Sequence, residues 1–149
     1  RSRAAANALF VLLRKACPDS LAVYVAPMRW QPELTTSMQP EVLVAGVEPE
    51  DQVTDLLLAV EVLSPRTPLG QQFTRQRRYE RAGVPSYWLV DPEEPAVVAR
   101  ELVDGRYRIV AEARDDERLA PVRPFPVLLT PSALVEGWPP TGRGPVCGR

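Results

Sequence analysis

Residues 56–67 read LLLAVEVLSPRT. Leu56, Leu57, Leu58, Ala59, Val60, Val62 and Leu63 make one apolar run, the pattern of a strand covered on both faces in a parallel sheet. Glu61 interrupts it. An unpaired ionised carboxylate in such a place costs several kcal/mol or more, so it must be neutralised, paired or bound to a cation. SPRTP (64–68) breaks the strand. Gly70 to Ala82 then read as a helix stopped by Gly83, and SYWLVD (86–91) reads as the next strand. Strand, helix and strand in this order form a βαβ unit, whose strands are parallel and joined by a right-handed crossover.

Outward from that unit, RAAANALFVLLRKA (3–16) reads as an amphipathic helix ending before Pro18. LAVYVAPMRW (21–30) reads as a strand in which Pro27 marks a bulge or an edge. EVLVA (41–45) reads as a short strand, followed by the polar loop GVEPEDQVTD (46–55). PAVVAREL (95–102) and RYRIVAEA (106–113) flank Asp104-Gly105, a strong signal for a tight hairpin. FPVLLTPSALV (125–135) is expected to give a last strand and a short helix. The fold class is therefore α/β with α+β character: a mixed sheet with a parallel βαβ centre and an antiparallel hairpin. It is read as a single domain over residues 1–136, followed by a Pro/Gly-rich tail over 137–149.

The 149 residues suffice for one core, and 45% hydrophobic with 25% charged residues is ordinary for a globular protein. The formal net charge of −1 excludes a global basic field, so any nucleic-acid contact must come from a local patch. No apolar run approaches the ~20 residues of a membrane span, and the expectation is a cytoplasmic protein with no membrane partner. The opening RSRAAANALF lacks an initiator Met and has too little apolar length for a signal peptide, so the sequence is expected to begin inside a longer chain. Cys17 and Cys147 are read as reduced thiols. The absence of histidine removes Ser-His-Asp and Cys-His catalysis, His-based zinc sites and imidazole acid/base chemistry. Catalysis is left to carboxylates, Lys, Arg, Tyr or a metal bound by oxygen.

Three places come together on these terms. Glu41 follows Pro40 at the head of one strand, Glu61 lies in the next, and the following helix carries Gln71, Arg75, Arg78 and Tyr79. Positions 71, 75 and 79 line one helix face. Two carboxylates on neighbouring strands could hold a divalent cation, because Mg²⁺ takes one or two carboxylates plus waters and phosphate oxygens. Such a cation would offset the charge of Glu61. The plainer alternative pairs Glu61 with Arg75 or Arg78 and packs the Tyr79 ring on the sheet. RQRRYER (75–81) is the basic cluster of the chain, and Arg77, Arg78 and Arg81 are candidates for contact with a phosphate backbone. Glu48, Glu50, Asp51 and Asp55 read as a solvated loop, Tyr87 and Trp88 as core strand residues, and Ser64 as a local turn cap.

QPEVLVA, LLLAVEVLSPRT, RRYERAGVPSYWLVDP and PFPVLLTPSALV together resemble the Uma-type "putative restriction endonucleases", a branch of the PD-(D/E)XK nuclease superfamily. The resemblance covers roughly residues 5–135 and is most specific from Glu61 to Pro92. It implies a restriction-endonuclease-like mixed sheet flanked by helices. It implies Glu41 and Glu61 as ligands of Mg²⁺ or Mn²⁺, Arg75 at the position of a catalytic lysine, and hydrolysis of DNA phosphodiesters, with a homodimer as one assembly. The chain departs from the family pattern at Glu41 (usually Asp), Gln71 (usually Asp), Arg75 (usually Lys) and Ser86 (usually an acid), and its first helix carries no carboxylate. Arg keeps the charge of Lys but not its geometry or its ability to lose a proton. Two functions follow as expectations: a metal-dependent endonuclease with a partly degenerate site, or a catalytically impaired relative that works by binding nucleic acid or protein. A simple interaction module is a third.

Overall fold

The computed structural model describes residues 2–25, 30–33, 36–47 and 53–136. Helix α1 (Ser2–Ala16) is followed by strands β1 (Leu21–Val25), β2 (Trp30–Glu33), β3 (Thr36–Met38), β4 (Val42–Val47) and β5 (Val53–Val62). Then come helix α2 (Leu69–Ala82), strands β6 (Ser86–Asp91), β7 (Ala96–Val103) and β8 (Arg106–Arg114), and helix α3 (Pro131–Val135). Six strands form one sheet in the order β1-β4-β5-β6-β7-β8, and β2 pairs with β3 separately. β5 and β6 are parallel; every other pair in the large sheet is antiparallel. The sheet is therefore mixed, and its one parallel pair is the βαβ unit closed by α2.

Strand alternation divides the core between two faces. Val42, Val44, Leu58, Val60, Val62, Trp88 and Val90 pack with Ala5, Ala6, Leu9 and Leu13 of α1 and with Leu134 of α3. The four α1 residues recur at helical spacing, which is why one face of that helix is apolar. Leu43, Ala45, Ala59 and Tyr87 point to the other face, where Tyr79 of α2 and Val84 join them. α2 buries Tyr79 alone among its residues, so this second face is only partly covered.

Three expectations need correction. The strand expected over 21–30 ends at Val25; Trp30 opens β2, and Pro27 lies outside the described residues. The segment 46–55 is not all loop: Gly46 and Val47 complete β4, Val53 to Asp55 open β5, and Val47 pairs with Val53. Bulges near Ala45 let that hairpin run on past the apolar stretch, so polarity hid the strand. Asp55 is exposed on β5, while Glu48, Glu50 and Asp51 lie outside the described residues. The strand expected within 125–129 reduces to a bridge in which Leu119 and Leu129 exchange N–H···O bonds of 2.8 and 2.9 Å. Pro121, Pro124 and Pro126 have no N–H to extend it.

The hairpin at Asp104-Gly105 forms as expected, with φ of 52° and 80° at the two turn residues. α2 ends at Gly83, whose φ of 77° is the left-handed conformation glycine adopts freely. Ser64 and Thr67 share a 2.9 Å hydroxyl contact in the turn before α2. Tyr87 and Trp88 are buried core residues. Cys17 is a free, partly buried thiol; Cys147 and the tail lie outside the described residues. Among the described residues, no helix is long and apolar enough to cross a membrane.

Candidate active site

Glu61 lies next to the last residue of β5, between β4 and β6, and is only 4% exposed. Its side chain points to the α2 face, with Ala59. Across the antiparallel β4–β5 pair, Val42 faces Val60 and Leu43 faces Ala59. Just before β4, the Glu41 N–H donates to the Val60 carbonyl at 2.9 Å, which holds Glu41 beside the end of β5. The charge of Glu41 raises the pKa of Glu61, so the two carboxyl groups are near enough to repel.

Two α2 side chains reach down to Glu61. Arg75 Nη1 donates to Oε1 at 3.2 Å, and the Tyr79 hydroxyl donates to Oε2 at 2.9 Å. Residues 75 and 79 stand one turn apart on the helix, and this spacing lets each take one oxygen of the same carboxylate. The Arg75 side chain remains 38% exposed, so its end of the ion pair is open to solvent.

The electrostatics are a contest. Burial raises the pKa of Glu61; Arg75 and the Tyr79 hydrogen bond lower it, and the Glu41 charge raises it again. Burial wins, and the carboxyl is pushed up from 4.5 to about 7. Burial, with Glu61 beside it, likewise raises the Tyr79 phenol, which stays a hydrogen-bond donor.

The residues singled out in the sequence separate into two sets. Glu61, Arg75 and Tyr79 meet in direct contacts, and the charge of Glu41 acts on Glu61. Arg77, Arg78 and Arg81 lie on the exposed side of α2, away from the carboxylates, and make no ion pair among the described residues. Gln71 is exposed in the first turn of α2. Ser86 is buried, and strand alternation places it on the opposite face of the sheet, with Trp88. The loss of an acid there therefore leaves the site itself unchanged. The sequence reading placed Tyr79 on the helix face of Gln71 and Arg75 but favoured packing for its ring; its hydroxyl in fact donates to Glu61. The same reading missed Arg100, a cation on β7 directly opposite Tyr87.

A fit to a divalent cation can be tested on the donor set. Among the described residues, no group of three or more Asp, Glu, Cys or His side chains converges. Glu61 and Glu41, whose charge acts on it, are both hard oxygen donors of the kind Mg²⁺ uses when waters and phosphate oxygens complete its shell. They fit as a minimal site. The Glu61 oxygens already have partners, so a cation must compete with Arg75 for Oε1.

A mixed sheet whose parallel pair carries a buried carboxylate under a helix with a cation defines an α/β fold with an acidic site at one sheet face. The same architecture occurs in the crystal structure of a "putative nuclease belonging to DUF820" from Anabaena variabilis, with a TM-score of 0.69 and 16% identity over 88% of this chain and 78% of that one. The chain belongs to the Uma2 family, described as "Putative restriction endonuclease", whose model matches residues 1–134. No curated protein matches it.

Proposed function

We propose that the protein is a divalent-metal-dependent endonuclease that hydrolyses DNA phosphodiester bonds. The observation that supports this reading is the buried Glu61 carboxylate, within reach of the Glu41 charge and paired with Arg75, whose side chain stays open to solvent. Glu41 and Glu61 would hold Mg²⁺ or Mn²⁺. Such a cation, when bound, supplies activation of water and neutralisation of charge on the phosphate. Tyr79 fixes the Glu61 carboxylate through Oε2. Arg75, displaced from Oε1, turns its guanidinium to the phosphate and stabilises the charge that develops there. It cannot serve as a base, because guanidinium does not lose its proton near neutral pH. Arg77, Arg78 and Arg81 would meet the strand's backbone along α2.

A second reading rests on a specific observation: both oxygens of Glu61 are already satisfied within the protein. With Glu41, Gln71 and Arg75 at motif positions, this is what a relative that binds without cleaving would look like. Calorimetric titration of Mg²⁺ and Mn²⁺ into wild type and Glu61→Ala, with plasmid cleavage on the same samples, decides. Binding and cleavage that both vanish in the variant support the endonuclease. Metal binding without cleavage supports the impaired relative. Metal affinity that survives Glu61→Ala removes Glu61 from the site.

A further inference from the structure

α2 buries only Tyr79, so apolar packing alone does not fix how the helix lies on the sheet. Its C-terminal end is tied instead to the β7–β8 hairpin. The Tyr107 N–H, near the start of β8, donates to Glu80 Oε2 at 2.9 Å. The Tyr107 hydroxyl donates to the Val84 carbonyl at 2.8 Å. Val84 and Gly83 in turn donate through their N–H groups to the Tyr79 and Glu80 carbonyls at 3.2 and 3.1 Å, so Val84 is held to the last turn of the helix. The Leu102 N–H of β7 reaches the Pro85 carbonyl at 2.9 Å. Tyr107 thus grips α2 at a side chain and just past its end. Burial and the Glu80 charge keep its phenol protonated and a donor. The Tyr107 ring stacks on Tyr87 with 5.5 Å between centroids, and Tyr87 lies 5.4 Å from Tyr79. Glu80 follows Tyr79 directly and shares one helix with Arg75. A small rotation or slide of that helix lifts the Arg75 guanidinium and the Tyr79 hydroxyl from the two Glu61 oxygens, because hydrogen bonds weaken steeply with distance and angle.

We propose that Glu80 and Tyr107 are positioning residues of the carboxylate site: through them the β7–β8 hairpin sets the rotation and height of α2, and so holds Arg75 and the Tyr79 hydroxyl on Glu61. They act through the helix and not on Glu61 itself. The proposal rests on the endonuclease reading for what the site does, and not for the clamp.

The test is hydrogen exchange followed by NMR, in EDTA and without nucleic acid, on wild type, Glu80→Ala, Glu80→Gln and Tyr107→Phe. Tyr107→Phe keeps the ring and loses the bond to Val84. Glu80→Ala loses the acceptor, and Glu80→Gln keeps one in its amide oxygen. Glu80→Ala and Tyr107→Phe are expected to speed exchange of the α2 amides and of the Arg75 Nε–H about five- to tenfold, with the amides of β4 to β6 unchanged. Glu80→Gln is expected to restore most of the wild-type protection; a Glu80→Gln no better protected than Glu80→Ala overturns the part given to Glu80. Wild-type exchange at Arg75 in either Glu80→Ala or Tyr107→Phe overturns the proposal even where the α2 amides exchange faster, because the tie then serves the helix alone. Acceleration across sheet and helix alike overturns it too, since the loss is then one of global stability. Should Glu80→Ala fail to fold, Tyr107→Phe decides on the same signals. Plasmid cleavage by the same proteins separates this proposal from the endonuclease. A clamp that holds Arg75 in a protein that cleaves no DNA leaves the positioning standing and removes the endonuclease. Cleavage at the wild-type rate in both variants, with Arg75 exchange unmoved, does the reverse.

Discussion

Glu61 makes the stability of this fold depend on pH in a window where few proteins give so clean a signal. The chain has no histidine, so no imidazole titrates between pH 5 and 8. In the folded protein the carboxyl is raised from 4.5 to about 7, so the native state binds this proton more tightly than the unfolded chain does. Stability from this group is fully present below about pH 4.5 and is lost as pH rises through about 7, where the group ionises in place. The whole shift corresponds to about 3 kcal/mol, and the part lying between pH 5 and 8 to roughly 2–3 kcal/mol. Urea unfolding in EDTA across that range measures it. Wild type should lose stability steadily up to about pH 7 and then level off. Glu61→Gln, a neutral group of the same shape, should be flatter across the window and at least as stable as wild type at pH 8. A wild-type profile flat from pH 5 to 8, or a Glu61→Gln profile with the wild-type slope, would refute the reasoning.

Other perturbations follow from the same contacts. Tyr79→Phe removes the 2.9 Å donor to Glu61 and should cost about 1–3 kcal/mol near pH 8 and less at pH 5, read by urea unfolding at the two pH values. Arg75→Gln removes a charge that lowers the Glu61 pKa, so the midpoint of the pH–stability profile should move to higher pH. Gly83→Ala forces a Cβ into the left-handed turn at φ 77° and should lower stability by about 1–2 kcal/mol in thermal unfolding, without changing the pH profile. Trp88→Ala empties the α1 face of the sheet and should cost about 3–5 kcal/mol in urea unfolding, enough to leave the domain marginal.

The parts of the fold that were legible in the sequence are those whose signals are local. The run 56–63, Gly83 after a helical pattern and Asp104-Gly105 each carry a physical constraint within a few residues, and each appears where that constraint puts it. The parts that were not legible depend on partners far along the chain. Val53 to Asp55 are polar or β-branched residues that become strand only because β4 lies alongside. The apolar run from Val127 to Leu129 suggests a strand, yet three prolines nearby leave a single bridge. The same division holds at the site. Glu61 announced itself as a carboxylate in an apolar run. Arg75 was legible as its partner from its place on the helix that follows, and Glu41 as a nearby acid at the head of the neighbouring strand; that Arg75 rather than Arg78 makes the pair, and that the Tyr79 hydroxyl takes the second oxygen, depend on how the crossover helix sits on the sheet.

The departures from the family pattern acquire a physical meaning once these contacts are known. An arginine at position 75 reaches Glu61 from α2 and makes a 3.2 Å ion pair with it. That pair offsets part of the cost of burying the carboxylate, but not all of it, since the pKa remains raised. On the proposed reading, a cation at Glu61 would meet a carboxylate the protein holds at a cost, and Arg75 would be free to pair with an anion. The same balance sets its limit. Glu41 adds a repulsive charge to a carboxyl already raised by burial, so a metal held by Glu61 should ionise it and release a proton. Calorimetry in buffers of different ionisation heat at about pH 6.5 reads that release directly. If Mg²⁺ bound without proton release at that pH, Glu61 would not be its ligand, and the carboxylate in LLLAVEVLSPRT would serve the fold alone.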